Sequence, residues 1–280
     1  MVGIHHPRNL LLVGCGNMGG ALLATWANAD TLAGTAYCVI DHQPKIQIAS
    51  RHSVRLQAHH NLDTVSPNYA PDIVVFAVKP QELDAMLPAY AKRFALKPLY
   101  ISIAAGKELA FYARHLGAAA RVIRAMPNTP ATIGCGMTVL CRNERASEKD
   151  LEEAKLLFGA AGTVANLDDE SLMHAVTAIS GCGPAYTFLF IDAIMQAGMQ
   201  RGLDETLART LAEQTVLGAS SLASASRGES LAALRQRVAS PGGATEAALN
   251  VLMKDRGGLA ALLRQAVDAA VARSAELASK

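Results

Sequence analysis

Two kinds of short segment in this chain could do chemistry, and both are built largely from residues too small to react. The first is Gly14-Cys15-Gly16-Asn17-Met18-Gly19, set behind the apolar run Leu10-Leu11-Leu12-Val13 and before an apolar-periodic helix. Glycines so spaced form a dinucleotide-binding turn: Gly14 permits the tight bend, Gly16 leaves the pyrophosphate unobstructed, and Gly19 lets the helix pack close to the strand. Free amides at the helix start, where Asn17 and Met18 stand, then face the phosphates. The second kind comprises Ser180-Gly181-Cys182-Gly183-Pro184-Ala185-Tyr186 and Ser240-Pro241-Gly242-Gly243-Ala244-Thr245. Both read as turn-to-helix junctions that can present bare amides to an anion such as a carboxylate, and Thr245 adds a hydroxyl that donates or accepts. The same stretches could also serve as tight contacts between helices.

Other candidates follow the ends of apolar runs. Asp41 lies about 20 residues past the glycine turn, the spacing at which an acid hydrogen-bonds the adenosine ribose. A carboxylate there favours NADH over NADPH, but His42 and Lys45 are near enough to offset its charge, so the choice stays open. In Ala77-Val78-Lys79-Pro80 the proline suits the first position of a helix, which leaves Lys79 at the ligand edge within reach of a ribose hydroxyl or phosphate. Ser102-Ile103-Ala104-Ala105-Gly106 ends another run with residues small enough to admit a flat ring, and Met126-Pro127-Asn128-Thr129-Pro130 is a rigid loop presenting Asn128.

These segments need a sheet to gather them. Strands are expected at Ala36–Ile40, 73–78, 99–103 and 121–125 besides the first, mostly with helical patterns between them, which predicts a parallel sheet with helices on both faces. Ligands on such sheets sit beyond the carboxyl ends of the strands, where the loops above belong. From about Asp168 the β-branched runs become rare and the rest reads as all-helical, giving a dinucleotide-binding domain over 1–167 and a helical domain over 168–280. Phe188-Leu189-Phe190-Ile191-Asp192-Ala193-Ile194-Met195 is apolar nearly all round and must be buried. A small helical domain has little interior for it, so a second subunit is expected to cover it; the alternative is a monomer with a central helix.

Composition narrows the classes further. Half of the 280 residues are apolar (51%), net charge is +2, and no basic block is present, so nucleic acid and anionic membrane surfaces are not indicated as partners. No signal-peptide core or membrane-spanning run is apparent, which points to the cytoplasm. The five cysteines (Cys15, Cys38, Cys135, Cys141, Cys182) lack CxxC spacing and read as reduced thiols. His5-His6 and His59-His60 have no partners at ligand spacing and are expected in solvated loops, with no metal.

Taken together, GCGNMG (14–19), AVKP (77–80), SIAAG (102–106), RAMPNTP (124–130), SGCGPAY (180–186) and SPGGATEAAL (240–249) resemble the pyrroline-5-carboxylate reductases, in the family's order and over nearly the whole chain. The resemblance implies a Rossmann-like cofactor domain, a helical domain that interleaves with a partner subunit in a homodimer or larger ring of dimers, and a substrate site near 240–245. It implies hydride delivery from NADPH or NADH to the imine carbon of a five-membered ring, giving L-proline. It maps Asn61 and Glu170 onto cofactor-contacting positions, and Thr177 and Thr245 onto positions near the substrate. A cyclic imine is readily protonated, so positioning should dominate: the amides of Gly243, Ala244 and Thr245, with Ser240 in the same turn, would fix the substrate carboxylate.

Departures and rivals remain. Cys182 stands where the family usually has Ser, and Asp41-His42 occupies a pocket where the family usually favours NADPH. Met253 and Lys254 follow the last motif where an acid is common. A β-hydroxyacid dehydrogenase joins a similar turn to a helical domain but needs a lysine as general acid or base, and Gly183-Pro184-Ala185-Tyr186-Thr187 has none. A non-catalytic nucleotide sensor would keep the fold without the reaction.

Overall fold

The structure is a computed structural model that describes residues 8–43, 54–95 and 97–278. His5, His6 and Lys45 lie outside the described residues. Eight strands are present among those described: β1 (Asn9–Val13), β2 (Ala36–Ile40), β3 (Arg55–His59), β4 (Ile73–Phe76), β5 (Leu99–Ser102), β6 (Val122–Met126), β7 (Gly136–Arg142) and β8 (Gly162–Asn166). They form one sheet in the order β3-β2-β1-β4-β5-β6-β7-β8. Helices α1 (Asn17–Asn28), α2 (Pro80–Phe94), α3 (Leu109–Leu116) and α4 (Glu148–Gly159) belong to the sheet domain. α5 (Met173–Val176) runs into a π-turn at Thr177–Gly181, followed by α6 (Gly183–Met199), α7 (Glu205–Ala225), α8 (Leu231–Val238), α9 (Ala244–Leu252) and α10 (Leu259–Ala278).

Strand alternation explains why helices cover both faces. Leu10, Leu12, Val39 and Val75 point to one side, where they pack with Leu22, Leu23 and Trp26 of α1 and with Leu157 and Phe158 of α4. Leu11, Val13, Val74 and Phe76 point to the other, against Leu83, Leu87 and Tyr90 of α2 and Tyr112 of α3. Each fully buried side chain of this kind contributes about 1.5–3 kcal/mol, and the near-continuous apolar strands are those of a sheet covered twice.

The sheet departs from the expected one at its two flanks. β7 runs antiparallel to β6, with Met126 opposite Val139. The link from Met126 to Gly136 is shorter than the crossover of about a dozen residues that a parallel return requires. β8 then pairs parallel to β7 after α4. At the opposite edge β3 has mostly exposed side chains, so it lacks the apolar pattern that marked the central strands. His59 closes that strand and is not a loop residue.

The chain divides into two compact units, one holding the sheet and continuing to Gly181, rejoined from Val271 onward, the other spanning Cys182–Ala270. The strands end at Asn166, where the composition changes, yet the stretch that follows stays with the sheet because Met173 and Ala178 are fully buried there. In the second unit no residue of α6 is buried: Phe188 is 65% and Leu189 67% exposed. Among the described residues this helix is therefore not a buried core helix of its own unit. The helical stretch Glu170–Met199 is also long and apolar enough to cross a membrane by length and composition, which corrects the expectation that no run was.

Candidate active site

The glycine turn lies at the carboxyl end of β1. Gly14 adopts φ +92°, and a Cβ there would stand 2.6 Å from the Ala77 carbonyl oxygen and 2.9 Å from Val78 Cγ1. Ala77 and Val78 thus support the turn from beneath. A Cβ on Gly19 would collide with the Gly14 carbonyl oxygen, so this glycine lets the first turn of α1 sit directly on the loop. Gly16, by contrast, faces open space, with nothing within 4 Å of where a Cβ would be. It is the N-cap of α1, and no side chain caps the helix. Asn17 is exposed and Met18 half-buried on this first turn. An uncapped helix start behind an open glycine fits the pyrophosphate of a dinucleotide.

Asp41 closes the other side of this turn. Its Oδ2 accepts the Cys15 amide at 2.6 Å and its Oδ1 accepts the Gln43 amide at 2.8 Å. Burial, and then the Asp41 charge, push the Cys15 thiol up, which keeps it protonated. His42 is exposed, with its carbonyl 3.4 Å from His60 Nδ1. Asn61 caps a short turn, its Oδ1 accepting the Thr64 amide at 3.2 Å. Lys79 is exposed at the N-cap of α2, and Pro80 opens that helix.

Beyond β5, Ala104 is buried and Ala105 exposed. Ser102 Oγ and Tyr112 OH are 2.5 Å apart in the core beneath them, and burial pushes the Tyr112 phenol up to about 12. Beyond β6, Asn128 is half-buried and its carboxamide is bonded at both ends within the protein. Its Oδ1 accepts the Met137 amide at 2.8 Å, and its Nδ2 donates to the Ser180 carbonyl at 3.1 Å. Thr177 opens the π-turn, its hydroxyl donating to the Met173 carbonyl at 2.9 Å. Glu170 is likewise drawn inward: Oε1 accepts the Leu109 amide at 2.8 Å and Arg124 Nη1 at 3.0 Å.

The helical unit carries the other two junctions. Pro184 sits in the first turn of α6, and Cys182 is its N-cap with no side-chain cap bond. In the stretch 240–245, Gly242 has φ +70° and its amide donates to Glu246 at 2.6 Å. Gly243 is the N-cap of α9, again without a side-chain cap. Its own amide donates to the Ser240 carbonyl at 3.0 Å. Of the three amides expected to hold a carboxylate, that of Gly243 is thus committed to closing the turn.

Sequence reasoning missed Arg124, Glu246 and the Ser180 carbonyl. Arg124 carried the clearest signal, a charge inside an apolar strand, since such a residue is buried only with a partner. Glu246, four residues beyond Gly242, is spaced to reach back over the turn. A backbone carbonyl has no sequence signal at all.

The family described as "Pyrroline-5-carboxylate reductase dimerisation" matches residues 170–277, and the family described as "NADP oxidoreductase coenzyme F420-dependent" matches residues 9–106. The pyrroline-5-carboxylate reductase of Pseudomonas aeruginosa is 44% identical over 209 residues, covering 75% of this chain and 76% of the relative. That of Synechocystis sp. is 38% identical over 273 residues, covering 95% of this chain and 98% of the relative. The crystal structure of Plasmodium falciparum pyrroline carboxylate reductase with NADP bound superposes with a TM-score of 0.81 at 27% identity, over 97% of this chain and 98% of that one. With its sheet, its helical half and nearly its full length matched in this way, the chain belongs to the pyrroline-5-carboxylate reductase family.

Proposed function

We infer that this protein reduces 1-pyrroline-5-carboxylate to L-proline with NADPH or NADH, the last step of proline biosynthesis. The observation that carries the reading is the presence in one chain of an open glycine turn at the end of β1 and a bare helix start at Ala244, in a protein whose relatives bear that name over nearly their full length. When bound, the reduced nicotinamide would supply a hydride to the carbon of the protonated imine, whose C=N π pair would return to nitrogen to leave the neutral amine.

The protein's part is positioning. The uncapped start of α1 holds the pyrophosphate, while Ala104 and Ala105 leave a flat surface for the ring. The amides of Ala244 and Thr245 hold the substrate carboxylate, and the Thr245 hydroxyl orients the ring nitrogen. Asp41 sets the choice between NADH and NADPH. Without a lysine between Gly183 and Thr187 the site has no general base there for alcohol oxidation.

The apolar face of α6 is the surface on which we place a second copy of the chain, in keeping with the dimerisation family matched there. The five unpaired cysteines fit a reducing compartment, and we place the enzyme in the cytoplasm. The assay is direct: purified protein, pyrroline-5-carboxylate and each reduced cofactor in turn, followed by loss of the cofactor's absorbance. Proline must appear in step with that loss; no loss with either cofactor overturns the reading.

A further inference from the structure

The carboxyl end of β6 meets the π-turn through Met126, the strand's last residue, and Asn128 in the loop that follows. Asn128 Nδ2 donates to the Ser180 carbonyl at 3.1 Å and lies 3.4 Å from Ser180 Oγ. Met126 Cε lies against Gly181, where a Cβ would stand 2.6 Å from it. A π-turn takes an extra residue into the helix and breaks step with the normal hydrogen-bond ladder, and such turns are rare and frequently lie at functional sites. Here the Asn128 carboxamide holds Ser180, and the tip of Met126 fills the space beside Gly181. The acceptor half of the same carboxamide is fixed by the Met137 amide at 2.8 Å, so Asn128 cannot rotate away from Ser180 without breaking both bonds.

We propose that Asn128 is a positioning residue for the reduction: its carboxamide fixes the π-turn Thr177–Gly181 over the end of β6, and so sets where the Thr177 hydroxyl stands. This rests on the reading of the reaction given above. Asn128 does not bind the cofactor in this account, because both ends of its amide are engaged within the protein. The carboxyl end of β6 belongs to the ligand edge of the sheet, so a shift of the turn moves groups that border the reacting ring and leaves the pyrophosphate site at β1 untouched.

The test separates binding from turnover. Asn128→Asp keeps an oxygen for the Met137 amide but faces the Ser180 carbonyl with a second oxygen. Its kcat should fall about 10- to 100-fold, the cost of a misplacement of order 1 Å, while NADPH affinity measured by direct titration stays within about threefold. In a second series, Asn128→Ala, which removes the carboxamide and adds no charge, should lower kcat to a similar degree with NADPH affinity again kept. Parallel loss of cofactor affinity and kcat in Asn128→Asp overturns the proposal in favour of a cofactor contact, and an unchanged kcat overturns it outright. Should Asn128→Asp fail to fold, an unchanged kcat in Asn128→Ala overturns it instead. A wild-type protein inactive on pyrroline-5-carboxylate removes the reaction itself, whereas wild-type activity with wild-type kcat in Asn128→Asp removes only this role.

Discussion

The carboxylate of Asp41 accepts the backbone amide of Cys15 at 2.6 Å, so the end of β2 holds the glycine turn at the end of β1. One side chain thus serves both the shape of the glycine turn and the charge beside it. With its other oxygen on the Gln43 amide at 2.8 Å, the carboxylate is fixed in place. A fixed negative charge repels a 2′-phosphate and accepts a ribose hydroxyl.

Asp41→Ala should therefore shift the ratio of kcat/KM for NADPH over NADH upward, by about tenfold for each 1.4 kcal/mol of repulsion removed. Cys15 also loses its acceptor, so activity with both cofactors should fall even as the ratio rises. An unchanged ratio in steady-state assays removes Asp41 from nucleotide selection.

Thr245 is half-buried in the first turn of α9, behind a turn already closed by Ser240, Gly242 and Glu246. Thr245→Ala keeps the amide and removes the hydroxyl together with the γ-methyl. It should lower kcat by about 100-fold, the low end of the range for a positioned proton-handling group, and leave measurable turnover. Complete loss of turnover with cofactor binding intact would identify an obligatory proton donor.

The Arg124 side chain is 2% exposed and its partner Glu170 25%. Removing the carboxylate leaves a guanidinium buried without its counter-charge and the Leu109 amide without its acceptor. Glu170→Ala should cost about 3–5 kcal/mol in urea unfolding, the range for one half of a buried pair. A loss below about 1 kcal/mol, the range of an exposed pair, would show the charge to be solvated.

Alkali should loosen the sheet domain through Tyr112. Its phenol is raised from the usual 10 to about 12, first by burial, so the folded state favours the neutral form. That contribution is complete below pH 10 and is lost as pH rises through about 12, because the unfolded chain gives up its proton first; the loss is about 2–3 kcal/mol. Tyr37 and Tyr100, also raised to about 12, share the window. Tyr112→Phe should flatten the fall in stability between those limits in pH-dependent urea titrations; an unaltered slope would assign the fall to the other tyrosines.

Phe188 and Leu189 present adjacent apolar surface on α6. Replacing either with Glu would place a charge in any interface formed there, at a cost of several kcal/mol if unpaired. Sedimentation of Phe188→Glu should show a smaller species than wild type. Equal masses for the two would move the interface elsewhere.

The elements legible in the sequence are those whose cause is local. Gly14 needs positive φ, Pro80 opens a helix, and the runs at β1, β4 and β5 are apolar on both faces, so each could be read from its own few residues. The apolar α6 likewise signalled a missing partner from composition alone. Its exposure in the single chain is what that signal requires.

The rest was decided by residues far apart in the chain. Arg124 and Glu170 are 46 positions apart and Asn128 and Ser180 are 52 apart, and no spacing rule joins them, since the sheet and the return of the chain bring them together. Antiparallel β7 follows from a short connection that only the full topology makes visible. Residue types and their local order determined the dinucleotide turn and the sheet that presents it. Tertiary structure alone decided which polar groups remain free for a ligand and which, like Asn128, Glu170 and the Gly243 amide, are engaged within the protein, because a hydrogen bond is settled by distance in space and not by distance along the chain.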